Sequence, residues 1–412
     1  MSIIVQKFGG TSVADAEKIG RAARRAIRTK LKGHQVVMVL SAMGKTTDQL
    51  VALANELNPS PPKREMDMLL TTGEQVSISL MAMALAAAGH EAISFTGGQV
   101  GLVTDAVHAK ARIQSIDAQR IHSQLDAGKI VIVAGFQGIT DEGAITTLGR
   151  GGSDTTAVAL AAVLKAAECE IYTDVDGVYT TDPRIEPRAR KMDYISYDEM
   201  LELASLGAGV MHSRSIEFGK KYNVPIHVRS SLTDTKGTLI VAETPGMEQI
   251  VVRGVTLKRD LARVELVGVP NEPGLAARIF ARIAEHNIVV DDIIQNVYGH
   301  GSEANIGFTT TLSDVKEACV ICQQLCKEIG IQDVETDENV AKISIVGIGM
   351  KTHTGVASRM FKALGEARIN IQNISTSEIV IGCLIDKKDG EQAVKLLHEA
   401  FELDKSPENS GD

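Results

Sequence analysis

Short Val/Ile-rich segments alternate with Ala-rich amphipathic segments over roughly the first 245 residues, and this alternation restricts the fold more than any other feature. The apolar segments include Gln35–Leu40, Glu91–Phe95, Ile130–Val133 and Val224–Val228. Strands joined through helices form a largely parallel sheet, because a parallel neighbour needs a long crossover connection. We therefore expect an α/β domain over residues 1–245, with a mostly parallel sheet and helices on both of its faces.

A second pattern begins after Glu243-Thr-Pro-Gly246, where the C-terminal part of the chain repeats itself. Each copy has a strand, a glycine-bounded loop, a helix and another strand: Val264–Gly274, Leu275–Glu285 and Asn287–Val290, then Ile343–Gly349, Val356–Glu366 and Ile369–Ile371. Two copies predict a duplicated ferredoxin-like module of βαββαβ type. We expect modules over 263–340 and 341–412, with 247–262 as a linker or a strand shared with them.

The bulk properties exclude several classes of protein. The 412 residues carry a formal net charge of −9, which argues against nucleic acid as a partner. There is no basic-then-apolar leader, and the longest Ala/Met/Leu segment, Ile78–Ala88, is too short to span a bilayer, so we expect a cytoplasmic protein without a membrane anchor. Cys319, Cys322 and Cys326 have the spacing of one helical face and are expected to pack inward rather than form disulfides or a zinc site.

Two glycine-rich segments each connect a strand to a helix. Gly149-Arg-Gly-Gly-Ser-Asp154 precedes an Ala-rich helical segment, and Lys7-Phe-Gly-Gly-Thr-Ser-Val-Ala14 follows the strand Ile3–Val5. A helix N-terminus offers unpaired N–H groups to an anion, and the guanidinium of Arg150 suits a carboxylate or a phosphate. Together the loops indicate a polyphosphate held from two sides, although either loop alone is more typical of an ordinary strand-to-helix turn.

Two better-known phosphate motifs are not supported. Gly44-Lys-Thr46 ends like a Walker A loop, but Val39 occupies the position of its first glycine. In the Gly149 loop, Asp154 replaces the last glycine of the dinucleotide-binding fingerprint, and its carboxylate would repel a pyrophosphate. The chain therefore reads as neither a P-loop NTPase nor a Rossmann dehydrogenase.

Five motifs, taken in order along the chain, resemble those of the aspartate kinase family. They are Lys7-Phe-Gly-Gly-Thr-Ser-Val13, Ser41-Ala-Met43, Thr72-Gly-Glu-Gln-Val-Ser77, Gly149-Arg-Gly-Gly-Ser-Asp154 and Tyr172-Thr-Asp-Val-Asp-Gly-Val-Tyr-Thr-Thr-Asp-Pro-Arg184. The repeated modules resemble that family's tandem ACT regulatory modules, so the resemblance covers essentially the whole chain. It implies an amino-acid-kinase domain over 1–245 followed by the two ACT modules, with no room for a fused homoserine dehydrogenase.

The resemblance implies a reaction in which the γ-phosphoryl group of ATP passes to the β-carboxylate of L-aspartate. The product is 4-phospho-L-aspartate, and the step is the first in lysine, threonine and methionine biosynthesis. The acceptor carboxylate is already ionised at neutral pH, so no general base is required. ATP and Mg²⁺ are the implied cofactors, with Mg²⁺ bridging the phosphates and no dedicated metal site in the protein.

The resemblance also implies roles for individual residues. Lys7 and Asp154 would be catalytic, and Lys7 would act with the N–H groups of Gly9 and Gly10 on the transferring phosphoryl group. The implied ATP contacts are Lys7, Phe8, Gly9, Gly10, Ser41, Gly151, Gly152, Ser153, Thr173, Asp174, Tyr179, Asp182 and Arg184. The implied aspartate contacts are Thr47, Glu74, Arg150, Ser153 and Asp154, with Arg150 on the α-carboxylate and Glu74 on the ammonium group.

Structural alternatives stay open for several of these residues. Thr72-Gly-Glu74 also resembles a helix start and Thr47 a helix cap, while the segment around Asp182 also fits a Gly/Pro turn with Asp caps. Some family members carry a nucleotide-contacting Lys where this chain has Gly209, so that contact must be absent or replaced here. His212 nearby fits a structural role better than a catalytic one.

The ACT modules imply regulation by amino acids, with lysine and/or threonine as feedback effectors. Modules that pair across chains would bring together Asn271, Gly274, Ala276 and Gln295 of one unit and Asn370, Ile371 and Ser377 of the other. A homo-oligomer, or a heterotetramer with an ACT-only subunit started at Met247, is the implied assembly. Two other functions stay open: another amino-acid kinase, acting on glutamate, acetylglutamate or a nucleotide monophosphate, and a catalytically silent amino-acid-sensing regulator.

Overall fold

The computed structural model describes residues 1–207, 209–243, 251–351 and 353–405. Met247, the expected internal start, and residues 244–246 of the expected domain boundary lie outside the described residues. The chain divides into two compact units. The first contains Met1–Tyr179, Lys191–Ser205 and the residues from Gly209 to 243, and the second contains Thr180–Arg190, Leu206, Gly207 and the described residues from 251 onward.

The first unit has an eight-stranded sheet in the order β10-β12-β11-β9-β1-β2-β6-β3 and a four-stranded sheet in the order β5-β4-β7-β8. Its strands are β1 Ile3–Phe8, β2 Gln35–Leu40, β3 Ala92–Phe95, β4 Leu102–Thr104, β5 Ile113–Ile116, β6 Ile130–Ala134, β7 Gln137–Ile139, β8 Ile145–Thr147, β9 Glu168–Thr173, β10 Tyr194–Ser196, β11 Ile226–Ser230 and β12 Thr238–Val241. In the large sheet only the β11–β12 pair is antiparallel. The expected mostly parallel sheet is confirmed.

In the described part of the first unit, seven helices connect these strands. They are α1 Ala16–Leu31, α2 Thr46–Leu57, α3 Lys63–Ala87, α4 Gln119–Asp126, α5 Gly152–Val163, α6 Tyr197–Ser205 and α7 Ser213–Tyr222. The apolar core lies between the sheet and the buried faces of α1 and α3, and Met38, Leu40, Met81 and Leu85 are fully buried in it. Removing such apolar side chains from water is the main favourable term in folding.

The helix α3 is longer than the sequence pattern predicts. The segment Ile78–Ala88 is the C-terminal part of a helix of 25 residues, which by length and composition alone could cross a bilayer. One face of α3 is nevertheless buried in the protein, and this face carries two carboxylates, Asp67 and Glu74. The same face places Ile78, Met81 and Leu85 in the apolar core of the unit.

The second unit contains two four-stranded sheets, in the orders β15-β16-β14-β17 and β13-β18-β20-β19. Its elements are β13 Gly254–Lys258, β14 Ala262–Pro270, α8 Leu275–Glu285, β15 Asp291–Tyr298, β16 Glu303–Thr310, α9 Val315–Ile329, β17 Asp333–Asp337, β18 Val340–Val346, α10 Val356–Glu366, β19 Asn373–Thr376, β20 Val380–Asp386 and α11 Gly390–Ala400. The first module is a βαββαβ unit from β14 to β17. The fourth strand of the second module is β13, which precedes the whole first module in the sequence. The first module is therefore inserted into the second.

Two short strands predicted in the repeat are wrong. The strands begin at Asp291 and Asn373 rather than at Asn287 and Ile369. Asn287 and Arg368 each have a φ of 58°, in the left-handed region, directly after the last turn of a helix. This conformation ends the helix and redirects the chain, so pairing starts several residues later.

The segment Thr180–Arg190 packs against the second module. The carbonyl of Thr180 accepts a hydrogen bond from Val255 N–H at 2.8 Å, and its Oγ1 lies 3.0 Å from Nε2 of the buried His398. Ile185 packs against the apolar core of the same module. This segment therefore belongs structurally to the second unit, although the chain on both sides of it belongs to the first.

Candidate active site

The first glycine loop follows β1 at the centre of the large sheet. Lys7 pairs with Val39 on β2 and with Ile171 on β9, so the loop leaves the sheet between two buried neighbours. A Cβ on Gly10 would lie 2.7 Å from the carbonyl oxygen of Ala42, so only glycine permits this close approach.

The N–H group of Gly9 has an acceptor within the protein. It donates a hydrogen bond to the carbonyl of Tyr172 at 3.3 Å. Its expected contact with the transferring phosphoryl group stays a prediction.

The second glycine loop ends at the N-terminus of α5. Gly151 has a φ of 70°, and a Cβ there would lie 2.3 Å from Cβ of His212, so His212 packs directly against the loop. The N–H of Gly152 donates to the carbonyl of Gly149 at 3.0 Å. In the described part of the chain the N–H groups of Ser153 and Asp154 have no protein acceptor, and such orphan groups suit an anion.

An ion pair joins the two loops. Nζ of Lys7 lies 2.6 Å from Oδ1 of Asp154, and the two side chains are only 11% and 12% exposed. The large sheet places both groups here, because α5 packs against β1. The Lys7 ammonium group thus lies beside the first turn of α5.

Glu74 lies within α3 and not at a helix start, so the alternative interpretation as a starting residue is wrong. Its Oε1 accepts a hydrogen bond from Ala42 N–H at 3.2 Å, and its Oε2 is buried without a hydrogen-bond partner in the described part of the chain. Burial raises the pKa of Glu74 to about 7. An uncompensated buried carboxylate of this kind is poised to bind a cationic group.

The remaining residues of the expected aspartate contact set differ in exposure. Arg150 is exposed and has no hydrogen bond or ion pair with another described residue, whereas Ser153 is buried against Gly135. Thr47 is the second residue of α2, whose cap is Lys45, so the interpretation of Thr47 as a cap is wrong.

The expected nucleotide contacts are divided between the two units. Ser41 follows β2 and Thr173 ends β9, with the Thr173 hydroxyl 3.1 Å from Oδ1 of Asp174. The Tyr179 hydroxyl donates to Asp176 at 2.8 Å, and burial raises the pKa of Tyr179 to about 12.

Asp182 and Arg184 lie in the second unit, within Thr180–Arg190, and form an ion pair at 2.7 Å. A side chain at Gly209 would extend into open space, since no atom lies within 4 Å of a Cβ there.

Asp67, a carboxylate fully buried on α3, was not among the residues expected in the site. It lies seven residues before Glu74 on the buried face of that helix. A second carboxylate two helical turns before Glu74, on the same face of the helix, is the sequence signal that could have identified it.

The first ACT module contains a cavity of about 410 Å³ at the N-terminus of α8. It is lined by Val269, Pro270, Asn271, Glu272, Pro273, Gly274, Leu275, Ala276, Gln295 and Ile306. All four residues expected in the first module thus lie together. Asn370, Ile371 and Ser377 do not line this cavity.

Known proteins share these features. The model of the amino acid kinase family matches residues 2–230, and ACT domain models match residues 263–318 and 343–401. The chain is 51% identical to aspartokinase 2 of Bacillus subtilis over 407 residues, which cover 99% of each protein.

Two solved structures of E. coli aspartokinase III also resemble this chain, at 28% identity over 97% of this chain and 99% of theirs. The complex with aspartate and ADP, in the R-state, has a TM-score of 0.81, and the complex with lysine and aspartate, in the T-state, has a TM-score of 0.76. The chain therefore belongs to the amino acid kinase family and, within it, to the aspartokinases.

Proposed function

We propose that this chain transfers the γ-phosphoryl group of ATP to the β-carboxylate of L-aspartate, giving 4-phospho-L-aspartate. As a member of a kinase family it uses ATP. The observation that carries the proposal is the Lys7–Asp154 pair, which places an ammonium group 2.6 Å from a carboxylate at the N-terminus of α5. The relatives named for aspartate support this choice of acceptor.

On the phosphoryl side, Lys7 supplies positive charge to the γ-phosphoryl group, on which negative charge develops during transfer. The orphan N–H groups of Ser153 and Asp154 add donors at the opposite loop. Asp154 holds the Lys7 ammonium in place, and its own negative charge keeps the site neutral before a nucleotide binds. Alignment and neutralisation suffice, because the attacking carboxylate is already ionised.

On the amino-acid side, two opposite charges select the substrate. The unpartnered Oε2 of Glu74 would accept the α-ammonium group, and the exposed guanidinium of Arg150 would take the α-carboxylate in a bidentate contact. A neighbouring substrate charge would also return the pKa of Glu74 toward its ordinary value. Binding energy for aspartate thus comes partly from relieving a buried, uncompensated carboxylate.

Mg²⁺ would be held mainly by the phosphates of ATP, where it neutralises charge on the transferred group. Among the described residues one cluster, Glu168, Glu170 and His227, has the spacing of metal ligands. Arg229 and Gln6 already donate to Glu170, so a cation there would compete with a guanidinium. The donor set therefore favours a metal carried by the nucleotide.

The first experiment measures ADP formation with ATP, Mg²⁺ and each of aspartate, glutamate and acetylglutamate. We expect aspartate-dependent turnover and an acyl phosphate that hydroxylamine traps. Lys7→Ala should lower kcat by at least about 100-fold, whereas the control Lys18→Ala, on the partly exposed side of α1, should not. Turnover without a trappable acyl phosphate, or turnover with glutamate alone, would contradict the proposal.

The ACT cavity is proposed to bind a feedback effector, lysine and/or threonine. Its volume of about 410 Å³ suits an amino acid, and the N-terminus of α8 suits a carboxylate. Asn271 is held by a hydrogen bond from its side chain to Gly301 at 2.8 Å. Substituting Gln295 with Trp should relieve inhibition and leave the uninhibited kcat nearly unchanged, as measured by effector titration at fixed aspartate. Equal loss of activity and inhibition would indicate misfolding instead.

The expected second half of the effector site would come from another chain. Asn370, Ile371 and Ser377 are proposed to meet the cavity when modules pair, and Ile293, Val297 and Ile374 expose apolar surface on the outer strands. We propose a homo-oligomer, or a heterotetramer with an ACT-only subunit started at Met247, in the cytoplasm. Mass measurement of the complex expressed from its native coding region, with and without the Met247 codon, tests this assembly.

A further inference from the structure

Asp67 on α3 connects three separate parts of the kinase unit. It is fully buried, and its carboxylate accepts a hydrogen bond from the Thr147 hydroxyl at 2.5 Å and from the backbone N–H of Ala109 at 3.1 Å. Nδ1 of His108 lies 2.7 Å from Oδ2 of the same carboxylate. Such a buried carboxylate is costly unless its oxygens are satisfied, and here donors from the loop at His108 and Ala109 and from the end of β8 satisfy it.

The contact with Ala109 holds an unfavourable backbone conformation. Ala109 has a φ of 69°, in the left-handed region that residues with a Cβ rarely adopt. Its carbonyl oxygen would lie 2.9 Å from a Cβ on Gly149, so the loop that contains Ala109 packs directly on the Gly149 loop. Asp67 thus fixes Ala109 against Gly149, and also fixes Thr147, two residues before that glycine.

A second contact ties the same two segments together. The guanidinium of Arg214 on α7 donates to the carbonyls of Leu148 and Ala111, both at 2.9 Å. Ala111 N–H also donates to the carbonyl of Thr147 at 2.9 Å. The strand that leads into Arg150 is therefore held by a carboxylate and by a guanidinium.

We propose that Asp67 is a positioning residue for the amino-acid substrate. It fixes the loop that carries Arg150 relative to Glu74, which lies two turns further along the same helix. This inference rests on the proposed function, in which these two side chains take the α-carboxylate and the α-ammonium group. The two substrate groups are a fixed distance apart, so their receptors must be held at a fixed distance as well.

The proposal predicts which kinetic constant changes. Asp67 has no contact with Lys7 or Asp154 in the described structure, so the phosphoryl side is not disturbed directly. We expect Asp67→Asn to raise the KM for aspartate by about ten-fold or more, with the KM for ATP within about two-fold of wild type. The matched control Asp234→Asn removes a carboxylate that pairs with α1 and should change neither constant.

A second pair of variants keeps the test valid if Asp67→Asn does not fold. Thr147→Val removes one donor to Asp67 and should raise the KM for aspartate. Thr147→Ser keeps the hydroxyl and should have the KM of wild type. Backbone amide hydrogen exchange of residues 105–112 should become faster in Thr147→Val. It should stay unchanged in the controls Thr147→Ser and Asp234→Asn. An equal rise in both KM values, or a fall in melting temperature with unchanged KM for aspartate, would overturn the proposal. Wild-type protein that shows no aspartate turnover would instead refute the proposed function.

Discussion

The buried carboxylate of Glu74 should make the fold less stable at pH 8 than at pH 5. Its pKa is raised from an ordinary 4.5 to about 7, because it is buried without a cationic partner. The unfolded chain ionises this group at lower pH than the folded chain, so the free energy of unfolding falls as the pH rises from about 4.5 to about 7. Above about pH 7 the free energy of unfolding stays lowered by the full amount.

The magnitude follows from the difference between the two pKa values. It corresponds to about 3 kcal/mol at pH 8 and to less than about 1 kcal/mol at pH 5. Glu74→Gln keeps an acceptor for Ala42 N–H and removes the charge. For a unit of this size, we expect the variant to melt roughly 6–12 °C above wild type at pH 8 and within a few degrees of it at pH 5.

Calorimetry of the full chain at both pH values measures the change in melting temperature. Steady-state kinetics measure the effect of the same substitution on aspartate binding. The same variant should raise the KM for aspartate at least about ten-fold, because the ammonium group loses its carboxylate. In wild type, aspartate should raise the melting temperature more at pH 8 than at pH 5. A variant that melts no higher than wild type at pH 8 would refute the assignment of Glu74 as an uncompensated buried charge.

Three further substitutions test other parts of the structure. Arg150→Lys replaces a planar fork by a point charge and should raise the KM for aspartate with little change in kcat, as steady-state kinetics would show; unchanged KM would contradict the carboxylate assignment. Gly151→Ala should abolish turnover while circular dichroism stays native, because its Cβ would lie 2.3 Å from His212. Asp292→Ala leaves the buried Lys342 ammonium, 2.7 Å away in the folded protein, without its main partner, and should lower the free energy of unfolding by about 3 kcal/mol in a urea titration.

Local patterns predicted the first helix of each module to the residue. The segments Leu275–Glu285 and Val356–Glu366 are helices with the bounds that their apolar spacing and flanking glycines indicate. The strands that follow were placed too early, because a left-handed residue after each helix is not marked by glycine. Asn287 is a weak signal of such a turn, and Arg368 is no signal at all.

The site was only partly predictable from the sequence. The two glycine loops indicated a polyphosphate held from two sides, and the parallel sheet does bring Lys7 of one loop close to Asp154 of the other. The Thr72-Gly-Glu74 segment suggested a helix start, but packing of α3 against the sheet continues the helix through that glycine. The role of Asp67 depends on partners 41 to 80 residues away, and no local pattern can reveal such contacts.

The order of strands in the ACT modules has a consequence for synthesis. The strand β13 emerges from the ribosome before the whole first module, yet its partner β18 follows that module. Until β18 appears, β13 remains an unpaired edge, and the second module cannot close. A shortened chain must therefore begin before Gly254 to complete its second module. Initiation at Met247 would meet that requirement, whereas initiation at the start of β14 would leave one edge of β18 open.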